Sequence, residues 1–242
     1  MSDDRKRDEK GRLINFSLPI TSYDDYLKNL DYMTLGIITY YSNRTQQDPN
    51  EIIDTEELYR WVYKNKLIDN SDEIEKLSKN KFNTVMRNVR KLAKMDNNLV
   101  IAANSPNGIV YYINYYTLPH GYYVTVHNEI LRYLLNTSNS NVIKVYVFLK
   151  YRCKNGETKV TREEIASAIG LSPKSSSNLD IISDITFSLN NVLIKKVYKY
   201  ETSLDEKSNE ITKKYCYYSL IDELKAIEKI KEDRKVKVIK GR

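Results

Sequence analysis

The chain has 242 residues, enough for one large domain or two of about 110 residues, and either can bury a core. A formal charge of +7 and a pI near 9.1 favour a polyanionic partner. No run approaches the ~18 apolar residues of a membrane span, and Cys153 and Cys216 stand apart without a CxxC, which suggests neither a disulfide framework nor a zinc site.

Residues 1–22 open on MSDDRKRDEKGR and are expected to form a flexible charged arm, its Arg and Lys residues largely cancelled by Asp and Glu. With no apolar segment behind this start, a soluble, cytoplasmic protein is expected. From Tyr23 to Thr45 the spacing of Leu30, Met33, Ile37, Ile38 and Tyr41 predicts a helix, and Asp48-Pro49 marks the loop after it. Asp54 or Thr55 is an N-cap candidate with Glu56 and Glu57 in the first turn, opening a second helix that carries Leu58, Trp61 and Val62 inward. Asp69 to Ser71 breaks it.

The third predicted helix contains KLSKNKFNTVMRNVRKLAK, Lys76 to Lys94, with seven lysines and arginines and no acid. At about 100° per residue, Phe82, Val85, Met86, Val89 and Leu92 share one side, and Asn83, Arg87, Arg90, Lys91 and Lys94 the other. Asn and Arg make bidentate contacts to adenine and guanine in a major groove, so Asn83, Thr84, Arg87, Asn88 and Arg90 are the candidate base readers. Lys79, Lys81, Lys91 and Lys94 are the candidate phosphate contacts. Leu99–Ala103 and Ile109–Tyr116 then read as two strands about a turn from Asn104 to Gly108, with Asn104 and Asn107 at its tip. Helix, helix, basic helix and hairpin is the order of a winged helix.

The order repeats at a spacing of about 110 residues, an ordinary domain length. Thr117 to Thr125 reads as a linker or edge strand, Asn128–Leu135 as a short helix and Val142–Arg152 as a longer one. Thr161 with Glu164 forms a capping box for a helix to Ile169, which Gly170 ends. Ser172 to Asn178 leads into a helix from Leu179 to about Asn191. Val192–Tyr200 and Ile211–Leu220 are expected strands, and a basic helical tail follows. The expectation is an α+β, mainly helical chain of two tandem winged-helix (helix-turn-helix plus β-hairpin) domains at 23–118 and 119–222, with a basic tail at 223–242. In the second, Lys174, Ser175, Ser176 and Asn178 at the start of the last core helix and Lys195, Lys196 and Lys199 in the wing are candidate DNA contacts. That helix is acidic at Asp180 and Asp184, so the second unit is expected to grip backbone through its wing, or to dimerise.

TREEIASAIGLS places Ala166 and Gly170 four apart, the small-residue and turn-glycine spacing of helix-turn-helix proteins. With SNVIKVYVFLKYRCKNGETKV before it and LDIISDITFSLNNVLIKKVYKYE after it, the second half resembles the winged-helix unit of Gram-positive plasmid and phage replication initiators, and the related unit of primosomal DnaD-type proteins. The resemblance covers Ser140 to Tyr200 by motif and the first half by architecture only. It implies a sequence-specific double-stranded DNA-binding protein of a mobile element, a replication initiator on origin repeats. The alternatives are an operon regulator or a protein-binding primosome adaptor. Double-stranded DNA is the expected partner, with a homodimer and host replication proteins as further candidates and no membrane.

No catalytic, metal or cofactor site is expected. A nicking initiator needs two histidines separated by one residue, whereas His120 and His127 lie seven apart. GLSPKSSS lacks the second glycine of a phosphate loop and follows a helix. Glu210 and Lys213 have no partnering Asp for nuclease chemistry.

Overall fold

The computed structural model describes residues 15–19, 87, 100–105, 108–113, 123–135, 139–204 and 210–240. Among them the chain mixes helices with small antiparallel sheets, and it divides into two units, 1–143 and 144–242. No helix of the described residues is long and apolar enough to cross a membrane.

In the first unit, β1 (Asn15–Pro19) pairs antiparallel with β4 (Tyr123–His127), from Asn15 opposite His127 to Pro19 opposite Tyr123. Asn15–Pro19 of the stretch 1–22, expected as an arm, forms a strand, and Tyr123 to Thr125 of the segment expected as a linker or an edge strand belong to a paired strand. Pairing with β1 ties β4, and the helix α1 (Asn128–Leu135) that follows it directly, to the N-terminal unit. The two units divide at Ile143/Lys144, whereas the expected domains meet at 118/119. The β1 residues show why the sequence concealed this: NFSLP is short and ends on a proline, tolerated at a sheet edge because it lacks the ladder donor. A second hairpin joins β2 (Val100–Ser105) to β3 (Gly108–Ile113), with Ser105 opposite Gly108.

α1 buries Ile130, Leu131, Leu134 and Leu135, an i, i+4 stripe, and His127 Nδ1 accepts from the Glu129 N–H at its start, 3.1 Å away. α2 (Ser140–Arg152) is opened by Asn139, whose Oδ1 accepts from the Asn141 N–H at 2.9 Å, and Lys150 and Arg152 complement the dipole of its last turn. Val142 to Leu149 are all buried, as expected of a helix apolar around most of its circumference.

In the second unit, β5 (Thr158–Lys159) leads to α3 (Arg162–Ala168), and the Thr161–Glu164 capping box is present in both directions, at 3.1 and 2.7 Å. Gly170 ends α3 at φ 85°. Its N–H donates to Ser167 O and the Leu171 N–H to Ala166 O, a Schellman closure that an L side chain at Gly170 would strain. Ala166 is buried, which lets α4 (Ser176–Leu189) approach. α4 begins three residues earlier than expected because the chain turns into it at Ser175. It buries Ile182, Ile185, Thr186 and Leu189. β6 (Ile194–Leu204) and β7 (Glu210–Leu220) pair along their whole length, and β5 adds to β7, giving the sheet order β5-β7-β6. α5 (Glu223–Lys240) closes the chain.

Candidate nucleic-acid interface

Of the basic stretch from Lys76 to Lys94, Arg87 is described, and it is helical and exposed. Lys79, Lys81, Asn83, Thr84, Asn88, Arg90, Lys91 and Lys94 lie outside the described residues. So does Asn107, whereas Asn104 is exposed near the end of β2.

The second unit can be built residue by residue. Alternation along the β6–β7 ladder sorts its side chains onto two faces. Lys195 opposite Ser219, Val197 opposite Tyr217, and Lys199 opposite Tyr215 share one face. Lys196 opposite Tyr218, Tyr198 opposite Cys216, and Tyr200 opposite Lys214 share the other. The three wing lysines expected to act together are therefore separated. Lys195 and Lys199 are exposed on one face, and Lys199 Nζ is bonded to Glu157. Lys196 is half-buried on the opposite face. Its Nζ donates to Thr186 Oγ1 of α4 at 3.0 Å and lies 5.7 Å from the Tyr198 ring centroid and 5.9 Å from that of Tyr218. Its ammonium, expected at a wing contact, lies at the joint between hairpin and helix. The sequence could not separate KK in adjacent positions without knowing which strand face is covered.

The face of Lys199 carries a further polar network. Lys159 pairs with Glu201 at 2.7 Å, Tyr217 donates to the same carboxylate, and Lys159 Nζ sits 3.0 Å from the Tyr215 ring centroid. The Lys159 bond holds the Glu201 carboxyl below its ordinary range, and Glu201 in turn raises Lys159. These groups are open to solvent, so the pairing fixes side-chain direction more than it adds stability.

At the start of α4, Lys174 and Ser176 are exposed. Ser175 makes no cap bond to the helix; its hydroxyl lies 2.9 Å from that of Ser177. Asn178, a candidate DNA contact, is half-buried, and its Nδ2 donates to Ser172 O at 3.2 Å, which braces the turn. The exposed face of α4 carries Asp180, Ile181, Asp184 and Phe187, with Phe187 80% exposed. Acids and apolar groups occupy the positions where a groove-reading helix needs donors.

Between this helix and the hairpin lies a cleft of about 670 Å³. One wall is Arg162 and Glu163 of α3 with Ser183, Asp184 and Phe187 of α4, and the other is Lys196, Tyr198 and Lys214 of the hairpin. Arg162 Nη1 donates to Ser183 Oγ at 3.1 Å, and Lys214 Nζ stands 4.2 Å from the Tyr198 ring centroid. Tyr218 is fully buried against the cleft, burial pushes its phenol well above the ordinary value, and its hydroxyl has no hydrogen-bond partner. Sequence reading missed Arg162, Phe187, Tyr198, Lys214 and Tyr218 as a set. The available signal was the Lys/Tyr alternation of IKKVYKY and KKYCYYS, which puts like residues on one strand face.

Cys153 is buried and Cys216 half-buried, and both are free. The Cys153 thiol donates to Tyr218 O at 3.3 Å, and burial raises it above its ordinary value. Among the described residues, no group of three or more His, Cys, Asp or Glu is placed to hold a metal ion. Comparison with protein-family models, with curated proteins and with solved structures returned no match.

Proposed function

We propose that the chain is a sequence-specific double-stranded DNA-binding protein of a mobile element, built from two tandem winged-helix units and acting in the cytoplasm as a replication initiator on origin repeats. The observation that carries this reading is the succession in the second unit of α3, a tight turn at Gly170, α4 and a paired hairpin, preceded in sequence by the stretch Lys76 to Lys94 with seven cations and no acid. In this reading Asn83, Thr84, Arg87, Asn88 and Arg90 meet base edges, and Lys79, Lys81, Lys91 and Lys94 neutralise phosphates. The second unit holds backbone through Lys195 and Lys199 of its hairpin and Lys174 at the start of α4. It needs no cofactor and performs no chemistry on its partner.

The test is retention of fragments from the protein's own locus against competitor DNA at two salt concentrations. One fragment carrying a repeated motif is retained, and log affinity falls with log salt at a slope of about −5 if about six phosphates are contacted. Arg87→Ala costs about 1–3 kcal/mol and relaxes specificity at one base position. Equal retention of all fragments refutes it, and an unchanged footprint and affinity for Arg87→Ala removes Arg87 from the base readers. The motif's position separates an origin from an operator.

A second reading, a protein-binding adaptor, is favoured by one observation: the exposed acidic and apolar face of α4. Salt-independent, sequence-blind behaviour towards DNA with a captured protein partner is its signature.

A further inference from the structure

The cleft between α4 and the hairpin combines exposed rings, cations and carboxylate acceptors. Phe187 and Tyr198 are 80% and 52% exposed, two large rings lining one cleft. In an intact duplex the base faces are stacked on one another and cannot reach such rings, whereas unpaired bases can. Arg162 retains donors beyond its bond to Ser183, and Lys214 is exposed beside the Tyr198 ring. Asp184 and Glu163, unfavourable beside phosphates, are acceptors suited to the amino groups of base edges.

We propose that this cleft binds single-stranded nucleic acid, holding an unpaired base against the Phe187 and Tyr198 rings with the adjoining phosphates on Arg162 and Lys214. Charge supports this occupant over a basic or neutral peptide: Arg162, Lys196 and Lys214 line the cleft against two carboxylates, while a further cation at its edge, Lys159, is paired with Glu201. Its volume of about 670 Å³ lies within the range of pockets that enclose small organic ligands. The inference stands apart from the duplex reading, because none of its ring or cation contacts belongs to the basic helix.

The experiment measures fluorescence anisotropy of a labelled oligothymidylate dodecamer and of a labelled duplex of equal length, with the full chain at fixed low salt. Phe187→Ala is expected to weaken the single strand about five- to tenfold, the loss of one stacked base, and to leave the duplex within about twofold. Tyr198→Ala behaves alike, and Phe187→Tyr restores binding. An abasic strand of the same charge binds the unaltered chain as weakly as the dodecamer binds Phe187→Ala. Circular dichroism checks that the variants fold. No binding of the dodecamer, equal binding of the abasic strand, or unchanged affinity in both alanine variants overturns the proposal. In that last outcome the cleft falls to a protein partner. Loss of duplex retention with ring-dependent single-strand binding intact overturns the duplex reading and supports this one.

Discussion

The outward face of α4 and the β6–β7 hairpin belong to one unit, yet they carry opposite chemistry. The helix shows solvent Asp180, Ile181, Asp184 and Phe187, while the hairpin shows Lys195, Lys199, Lys213 and Lys214 among tyrosines. A helix that reads a groove needs donors along the exposed stripe, and α4 has acceptors and apolar groups there. The hairpin needs only positive charge and wet aromatic surface to follow a backbone, and it has both. The difference teaches that the succession of α3, turn, α4 and hairpin does not by itself decide which element is suited to a charged partner. The identity of the residues on the uncovered face decides it.

The comparison is sharpened most strongly within α4 itself, where adjacent isoleucines have opposite environments. Ile182 is fully buried and Ile181 is 39% exposed. Ile182→Ala is expected to cost about 2–5 kcal/mol of unfolding free energy, and Ile181→Ala no more than about 0.5 kcal/mol, both from urea denaturation. Comparable losses would mean that the covered face of α4 has been misassigned.

The charge contrast yields the next effect. Replacing Lys195 and Lys199 together by Ala is expected to flatten the salt dependence of duplex binding by about 2 in slope, close to one per phosphate contact. Asp180→Asn with Asp184→Asn should leave that slope unchanged. An unaltered slope in the lysine variant would transfer the contact away from the hairpin.

A smaller effect isolates the local architecture that sets α3 against α4. Thr161→Ala removes the cap bond to Glu164 N and should lower stability by about 1 kcal/mol in thermal unfolding, with Thr161→Ser retaining most of it. A null result would place the stabilisation of α3 in its packing alone.

The elements legible in advance were those whose signals are local. The Thr161 box, the Gly170 stop, the Asn128–Leu135 helix and the two long strands each rest on neighbours a few residues apart, and each occurs within a few residues of its expected bounds. The pairing of NFSLP with a strand more than a hundred residues later left no local trace, because edge strands this short carry too few alternations to read. The separation of Lys195 from Lys196 was equally hidden. Alternation predicts that they diverge, but only packing on α4 tells which one points to solvent.

What the sequence alone determined, then, is the succession of helices, turns and strands from Ser140 to Leu220 and the sign of the charge on each. Caps, turn glycines and hydrophobic periods act through contacts within a turn or a strand, so they can be read without a fold. What only the tertiary structure decided is which groups come together: β1 with β4, Glu201 with Lys159, and Arg162, Phe187, Tyr198 and Lys214 around one cleft. Those meetings depend on register and on which face is buried, properties that arise when distant segments exclude water between them.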